Sequence, residues 1–241
     1  MTRFAKTLLV LLALFLVRPA AASFAQDVGG MYITPRVIYS YKTGSIEPAR
    51  LNSGPYAASL LGGEDKDKGY GVGLAVGCDF GSLYEMPLRL EAEYVYRGKA
   101  SFGEEVVNPY GLGGQASHNF DVAAHSLMAN AFLDLASDSA MTPYIGGGLG
   151  LAYLNTDYTV SSTVGTNGSA LSSKTNWNFA WNLGGGLAWH MNEKVALDLG
   201  YRYVDLGTAS TGDIRMNDFL TNSSLDYTVH EISLGLRFNI Y

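Results

Sequence analysis

The sequence is short of cysteine, of charged residues and of long apolar runs. Its 241 residues contain one cysteine, Cys78, so an intrachain disulfide is excluded. Only 16% of the residues are charged, whereas ordinary soluble domains have about 25%. After residue 25 no stretch of roughly 18 apolar residues occurs, so no transmembrane helix is predicted there. The chain is therefore neither a disulfide-stabilised secreted domain nor a helical membrane protein.

The first 25 residues have the three-part layout of a secretory signal peptide. Arg3 and Lys6 supply a positive start, residues 8–17 are continuously apolar, and residues 23–25 offer a small-x-small cleavage site. We predict cleavage after Ala25, with residues 26–241 forming one domain. The alternative, an uncleaved anchor helix, is disfavoured because the apolar run is short for a membrane span.

The residues that remain are acidic and rich in glycine and tyrosine. The signal segment carries three basic and no acidic residues, which leaves 13 basic against 22 acidic residues and a formal charge of −9. Such a charge disfavours binding to nucleic acid or heparin. The 29 glycines and 16 tyrosines suit closely packed strands and side chains placed at a boundary between lipid and water.

Apolar and polar residues alternate with a period of two in eight segments. In residues 177–190 the odd positions carry Trp, Phe and Leu, whereas the even positions carry Asn, Ala, Gly and His. Seven other segments repeat this asymmetry, near residues 31–41, 70–80, 88–97, 126–135, 144–153, 195–204 and 229–241. One such strand would fit a soluble sandwich, but the repetition favours an all-β protein: an eight-stranded antiparallel, up-and-down transmembrane β-barrel.

The alternation assigns each side chain to the lumen or to the lipid. A charge on the lipid face costs roughly 2–4 kcal/mol at the midplane, so charged side chains should face the lumen and pair there as a structural polar network. The predicted network comprises Arg89, Glu91, Glu93, Arg97, Asp134, Asp198, Arg202, Glu231 and Arg237. The predicted lipid-facing aromatic girdle comprises Tyr94, Tyr96, Tyr153, Trp177, Trp181, Trp189, Tyr201, Tyr203 and Phe238.

The connections alternate between long and short, which predicts an orientation. Four long connections are expected near residues 43–68, 99–120, 155–176 and 205–226, and short ones near 81–87, 136–142 and 191–194. In outer-membrane barrels long loops face outward and short turns face the periplasm. The four long connections carry 11 acidic and six basic residues, which argues against capture of polyanions.

Two strand motifs and the end of the chain resemble a known family. Residues 142–150 (TPYIGGGLG), 197–203 (LDLGYRY) and the closing 233–238 (SLGLRF) are similar to recurrent strands of small outer-membrane barrels of the opacity-protein and OmpA-like superfamily, which includes surface antigens. The resemblance implies a bacterial outer-membrane location, contact with lipid and lipopolysaccharide, and recognition of the last strand by the insertion machinery. Tyr241 is out of phase with the apolar series, so either Ile240 is the lipid-facing end or a bulge shifts the register.

No catalytic or metal-binding set is evident. A lipid A-modifying enzyme needs a hydroxyl, a histidine and a carboxylate together, but His125 and the adjacent Ser126 should point to opposite faces. The acidic residues 64–67 lack calcium-loop spacing and are predicted to be a solvated loop tip, and His190 has no partner at ligand spacing. We therefore predict no enzyme activity, no cofactor and no metal.

Three functions remain open at this stage. The first is a surface-exposed structural or interaction protein that acts through four long loops in adhesion, as an antigen or in envelope integrity. The second is a narrow pore or conduit for small, even apolar, solutes, because glycine-rich lumen faces near residues 71–77, 146–150 and 184–186 would leave space. The third and most remote is the lipid A-modifying enzyme.

Overall fold

The computed structural model describes residues 30–46, 63–81, 86–107, 115–135, 140–162, 168–210, 214–216, 219–221 and 224–240. The predicted signal peptide, Tyr241 and parts of the four long connections (residues 47–62, 108–114, 163–167, 211–213, 217–218 and 222–223) lie outside these residues. Among the described residues no helix is long and apolar enough to cross a membrane.

The described residues form ten strands, and eight of them close a barrel. The barrel strands are β1 (Met31–Ile46), β2 (Glu64–Asp79), β3 (Leu88–Val107), β4 (Gln115–Asp134), β5 (Met141–Ser162), β6 (Gly168–His190), β7 (Val195–Ser210) and β10 (Ser224–Ile240). Each pairs antiparallel with its neighbours in sequence, and β1 closes the barrel against β10. A small hairpin, β8 (Ile214–Met216) with β9 (Phe219–Thr221), lies between β7 and β10. The predicted eight-stranded antiparallel barrel is confirmed.

The strands are longer than the sequence pattern indicates, so the predicted long connections are shortened. β5 and β6 run 22 and 23 residues and pair as far as Ser162 with Gly168, well inside the connection expected at 155–176. Residues 64–67, expected at a loop tip, are the first residues of β2. These extensions are rich in Ser, Thr, Asn and Asp, and the barrel interior supplies the apolar packing that holds them in strand geometry.

Alternation places the apolar residues outside over the predicted membrane region. Leu127 on β4 is 59% exposed and Leu149 on β5 is 60% exposed, whereas the residues that alternate with them along each strand point into the barrel. Because the outer face would meet lipid rather than water, this exposure is the expected arrangement for a transmembrane barrel. We call the end of the barrel that carries Ile46 and Ser162 the long-loop end, and the opposite end the short-turn end.

The interior changes character along the barrel. The portion towards the short-turn end holds buried charged side chains, whereas the long-loop end is filled by a cluster of buried hydrophobic residues. In this cluster Phe102 meets Tyr227 at 5.7 Å between ring centroids, and Phe120 meets Tyr158 at 4.6 Å. Phe102 on β3 and Tyr227 on β10 come from strands that are separated by β2 and β1, so the cluster packs across the interior.

Two seams in the wall are closed by side chains at the long-loop end. In the described strands the β2–β3 pairing ends at Gly71 with Arg97, and the β6–β7 pairing ends at Trp181 with Asp205. Beyond the first seam, the Ser101 amide donates to Asp67 (3.1 Å) and the Gly103 amide donates to Asp65 (2.8 Å). Acidic side chains thus replace the missing strand partner at this seam.

The second seam uses an amide side chain in the same way. Nδ2 of Asn178 on β6 donates to the carbonyl groups of Leu206 (3.0 Å) and Thr208 (2.9 Å) on β7. Gly207 between them has φ of 75°, a conformation that favours glycine, and an added Cβ would lie 2.8 Å from Cβ of Asn178. The two seams divide the long-loop end into two four-stranded sheets, β3–β6 and β7-β10-β1-β2.

Candidate functional site

A chain of alternating charges crosses the lumen. Glu93 on β3 accepts from Arg36 on β1 (2.7 Å) and from Arg202 on β7 (2.5 Å). Arg202 also donates to Glu231 on β10 (2.7 Å), which accepts from Arg97 on β3 at 2.6 Å. Because these residues come from different walls, the ion pairs tie β1, β3, β7 and β10 together through the interior.

Further polar groups contact this chain of charges. Arg36 reaches Glu91 at 2.7 Å, and Glu91 also accepts from the Tyr32 hydroxyl at 3.0 Å. Asn130 donates to Glu93 at 3.3 Å and accepts from Asn182 at 2.8 Å. Buried carboxylates require such partners, since an unpaired buried charge costs several kcal/mol.

Two further ion pairs lie towards the short-turn end. Arg89 holds Asp134 through three hydrogen bonds of 2.8–3.0 Å, and its guanidinium lies 4.8 Å from the ring centroid of Tyr144. Arg237 donates to Asp198 at 2.5 Å, and Asp198 also accepts from the Tyr144 hydroxyl. All nine residues predicted for the polar network therefore lie in the lumen, within ion pairs.

The structure adds residues that the prediction of the network left out. Arg36 lay on the predicted inner face of β1 but was not assigned to the network, although it links Glu91 and Glu93. Lys42 was missed because it lies one residue beyond the predicted first strand, residues 31–41. The same period of two, continued from Arg36 through Ser40, places Lys42 inside and would have found it.

Lys42 makes no ion pair within the described part of the chain. Its ammonium group crosses over Gly69 and donates to the carbonyl of Gly98 (2.7 Å) at the irregular step in β3 between Arg97 and Ala100. An added Cβ at Gly69 would lie 2.7 Å from Nζ of Lys42, so the absence of a side chain at Gly69 leaves room for the lysine to reach β3. A charged donor from β1 thus stabilises the point where β2 and β3 separate.

The glycine-rich lumen faces do not leave open space, which corrects the basis of the pore hypothesis. An added Cβ at Gly77 would collide with the Tyr32 ring, one at Gly186 with Tyr144, and one at Gly184 with Arg202. The glycines therefore make room for large side chains from neighbouring strands. A cavity of about 30 Å³ lies among residues including Arg36, Asn182 and Arg202, which is room for one or two water molecules.

Nine aromatic residues predicted for the girdle all lie on the outer face. Tyr94, Tyr96, Trp177, Trp181, Trp189, Tyr201 and Phe238 are exposed, and Tyr153 and Tyr203 are half-buried by their aromatic neighbours. Trp189 and Phe238 lie near the short-turn end, and the others lie higher. Tyr39, Tyr41 and Tyr70, together with His125 and His230, extend the upper band, which we call the loop-end girdle.

The structure places His125 and Ser126, the histidine and hydroxyl considered for a catalytic group, on opposite faces of β4. His125 lies outside, with Nδ1 2.7 Å from the Tyr94 hydroxyl, whereas Ser126 lies inside and accepts from Arg97. The two side chains diverge, as their adjacency in a strand predicts. Among the described residues no group of three His, Cys, Asp or Glu side chains could hold a metal ion.

The last strand keeps one register against β1. Met31 pairs with Ile240, and Ile33 with Phe238, so the apolar series reaches Ile240 on the outer face. The alternative of a bulge near the end of the chain is therefore not supported in residues 228–240. Tyr241 lies outside the described residues.

An eight-stranded barrel with an apolar outer face, an aromatic girdle and a charged interior defines a small bacterial outer-membrane protein. The family model described as "Outer membrane protein beta-barrel domain" matches residues 7–238, and the chain belongs to this family. It is located in the bacterial outer membrane.

Relatives and solved structures agree with this assignment. The chain is 29% identical over 199 residues to outer membrane protein PagN of Salmonella typhimurium, covering 79% of this chain and 80% of the relative. It is 26% identical over 186 residues to a putative adhesin of Rickettsia typhi, covering 73% and 82%. The structure of Neisserial surface protein A aligns with 88% of this chain and 97% of its own length, at 18% identity and a TM-score of 0.50. That of OprG from Pseudomonas aeruginosa aligns with 88% of this chain and 98% of its own length, at 16% identity and a TM-score of 0.52. These two structures share the fold.

Proposed function

We propose that the protein is a surface-exposed interaction protein that binds a host or envelope molecule through the connections at its long-loop end. The observation that carries this proposal is the division of the interior. Ion pairs such as Arg202–Glu93 block the lumen, and an apolar core fills the outer end. A barrel closed in this way is suited to present a surface rather than to pass a solute.

The wall also projects beyond the loop-end girdle. β5 continues for nine residues after Tyr153, and β6 begins nine residues before Trp177. At about 3.3 Å per residue and a tilt near 40°, this extension rises roughly 20 Å above the girdle. Its core contacts, such as Phe120–Tyr158, make it a rigid base for the connections.

The relatives support an adhesive role. Two of the proteins similar to this chain are named as putative adhesins of Rickettsia species. The acidic excess of the connections favours a neutral or basic partner over a polyanion.

Expression of the protein on the surface of a non-adherent bacterium tests the proposal. Cells that display the protein should attach to cultured host cells, and replacement of residues 47–62 or 108–114 by a Gly-Ser linker should remove attachment without loss of the folded barrel. Heat-modifiable gel migration checks that each variant is folded. The proposal would be overturned if cells that display a variant with all long connections replaced attached as well as cells that display the unmodified protein.

A pore remains the second candidate, and conductance separates it from the first. The filled glycine faces predict that the refolded protein is silent in a planar bilayer. Discrete, reproducible openings from a folded sample would favour the pore and would show that the ion pairs across the lumen rearrange. For the lipid A-modifying enzyme, none of the described histidines lies with both a hydroxyl nucleophile and a carboxylate.

A further inference from the structure

Two outward histidines occupy matching positions in the loop-end girdle. His125 on β4 is paired across the ladder with Tyr96 on one side and Tyr153 on the other. His230 on β10 is likewise paired with Tyr41 and Tyr203. Each imidazole therefore lies between two tyrosines, on opposite sides of the barrel.

A third tyrosine binds the same ring nitrogen in both clusters. The Tyr94 hydroxyl lies 2.7 Å from Nδ1 of His125, and the Tyr201 hydroxyl lies 2.8 Å from Nδ1 of His230. When a phenol donates to Nδ1, the neutral ring carries its proton on Nε2. Among the described residues neither Nε2 has a hydrogen-bond partner, so each remains able to donate to a group outside the protein.

A lysine lies near each cluster. Lys68 is the ladder partner of Tyr41, its ammonium group lies 6.0 Å from the Tyr41 ring centroid, and it makes no ion pair among the described residues. Lys99 on β3 pairs with Asp157 at 2.9 Å. Hydrogen bonds from Ser173 and Lys99 lower the pKa of the Asp157 carboxyl, so this carboxylate is charged and neutralises Lys99 at neutral pH.

We propose that the two His–Tyr clusters bind the phosphate groups of the phosphorylated glycolipid, lipid A, in the outer leaflet. The girdle lies where acyl chains meet headgroups, and an imidazole Nε2–H with a nearby ammonium group is a donor set that suits a phosphate oxygen. A free phosphate ion would be equally complementary in charge, but only the lipid is held at this depth by its acyl chains against Leu127, Leu151 and Ile232.

The two clusters should differ in affinity. Lys68 beside the His230 cluster is free to meet an anion, whereas Lys99 is already paired with Asp157. The His230 cluster is therefore the tighter site. This inference rests on the outer-membrane location and does not depend on an adhesive function.

Histidine ring NMR of the refolded chain in phosphatidylcholine nanodiscs tests the proposal. Titration with bisphosphorylated lipid A should shift both Nε2 resonances, that of His230 at the lower lipid A fraction. His230→Phe should weaken lipid A retention about tenfold, the loss expected for one hydrogen bond to a charged group, and His125→Phe should weaken it less. Tyr70→Phe, an exposed girdle position without histidine contact, is the matched control and should leave retention unchanged.

Two further titrations distinguish the lipid phosphate from other causes of a shift. Dephosphorylated lipid A should produce no shift, and an equal shift would overturn the role of the phosphate. Inorganic phosphate at the same concentration should also produce none, and saturation by it would replace the lipid with a free anion. Should either phenylalanine variant fail to fold, the shifts in the unmodified protein decide alone, and their absence with bisphosphorylated lipid A would refute the proposal.

Discussion

Arg202 on β7 reaches across the lumen and pairs with Glu93 on β3, 109 residues earlier in the chain. Glu93 is fully buried and holds Arg36 as well, so one carboxylate neutralises parts of two guanidinium groups from two other strands. This geometry makes Glu93 the centre of the alternating chain of charges. Its removal should cost more than the removal of any surface pair.

Glu93→Gln should therefore destabilise the barrel strongly. The loss of a buried partner typically costs about 3–5 kcal/mol because it leaves an uncompensated buried charge. Urea unfolding in lipid vesicles, with gel migration as a second measure, gives the free energy of unfolding. Glu64→Gln removes the exposed pair with Lys66 and should cost less than about 1 kcal/mol. Equal effects of the two substitutions would show that the lumen pairs contribute little.

Gly77→Ala should destabilise the barrel through a clash with Tyr32. The added Cβ would overlap the Tyr32 ring, and overpacking of this kind costs about 1–3 kcal/mol. Gly73→Ala on the same strand and face is the control, because its Cβ would lie 3.3 Å from the nearest atom, Cγ2 of Val95. Tyr32→Ala combined with Gly77→Ala should recover part of the loss relative to the sum of the single variants. Additive losses would contradict steric conflict as the cause.

The sequence alone predicts those features of the structure that depend on neighbouring residues in the chain. Alternation is local, so the eight strands and the inner or outer side of residues such as Glu93 and Trp177 follow from it. The partners of a charged side chain are not local, because they depend on the stagger between strands. For this reason the pattern placed Arg36 inside but could not show that it bridges Glu91 and Glu93.

The strand ends were the least predictable feature. Residues 155–162 and 168–176 are polar on the outside and resemble a solvated connection in sequence. They remain in strands because Tyr158 on β5 packs against Phe120 on the neighbouring strand β4, a contact formed only after the two strands align. The open space expected beside the glycine-rich faces was not predictable for the same reason, since it is filled by Tyr32 and Tyr144 from other strands.

The carboxylates at the β2–β3 seam should protect individual amides from exchange. Asp67→Ala removes the acceptor of the Ser101 amide, and Asp65→Ala removes that of the Gly103 amide. A lost hydrogen bond of about 1–1.5 kcal/mol corresponds to roughly tenfold faster exchange of the affected amide. NMR-detected hydrogen exchange should show the increase at residue 101 in the first variant and at residue 103 in the second. Each variant is the control for the other, and an equal increase at both amides in either variant would indicate general opening of the seam instead.

A charge placed on the outer face should report where the membrane lies. Leu149 on β5 is 60% exposed and lies four residues below Tyr153, towards the membrane centre. Leu149→Arg should lower the free energy of unfolding in lipid vesicles by about 2–4 kcal/mol, the cost of an arginine near the bilayer midplane. Thr159→Arg, on the outer face of β5 beyond the girdle, should cost about 0–1 kcal/mol because its side chain meets water. If the two substitutions had equal costs, the loop-end girdle would not mark the boundary between lipid and water, and the wall beyond Tyr153 would not project from the membrane.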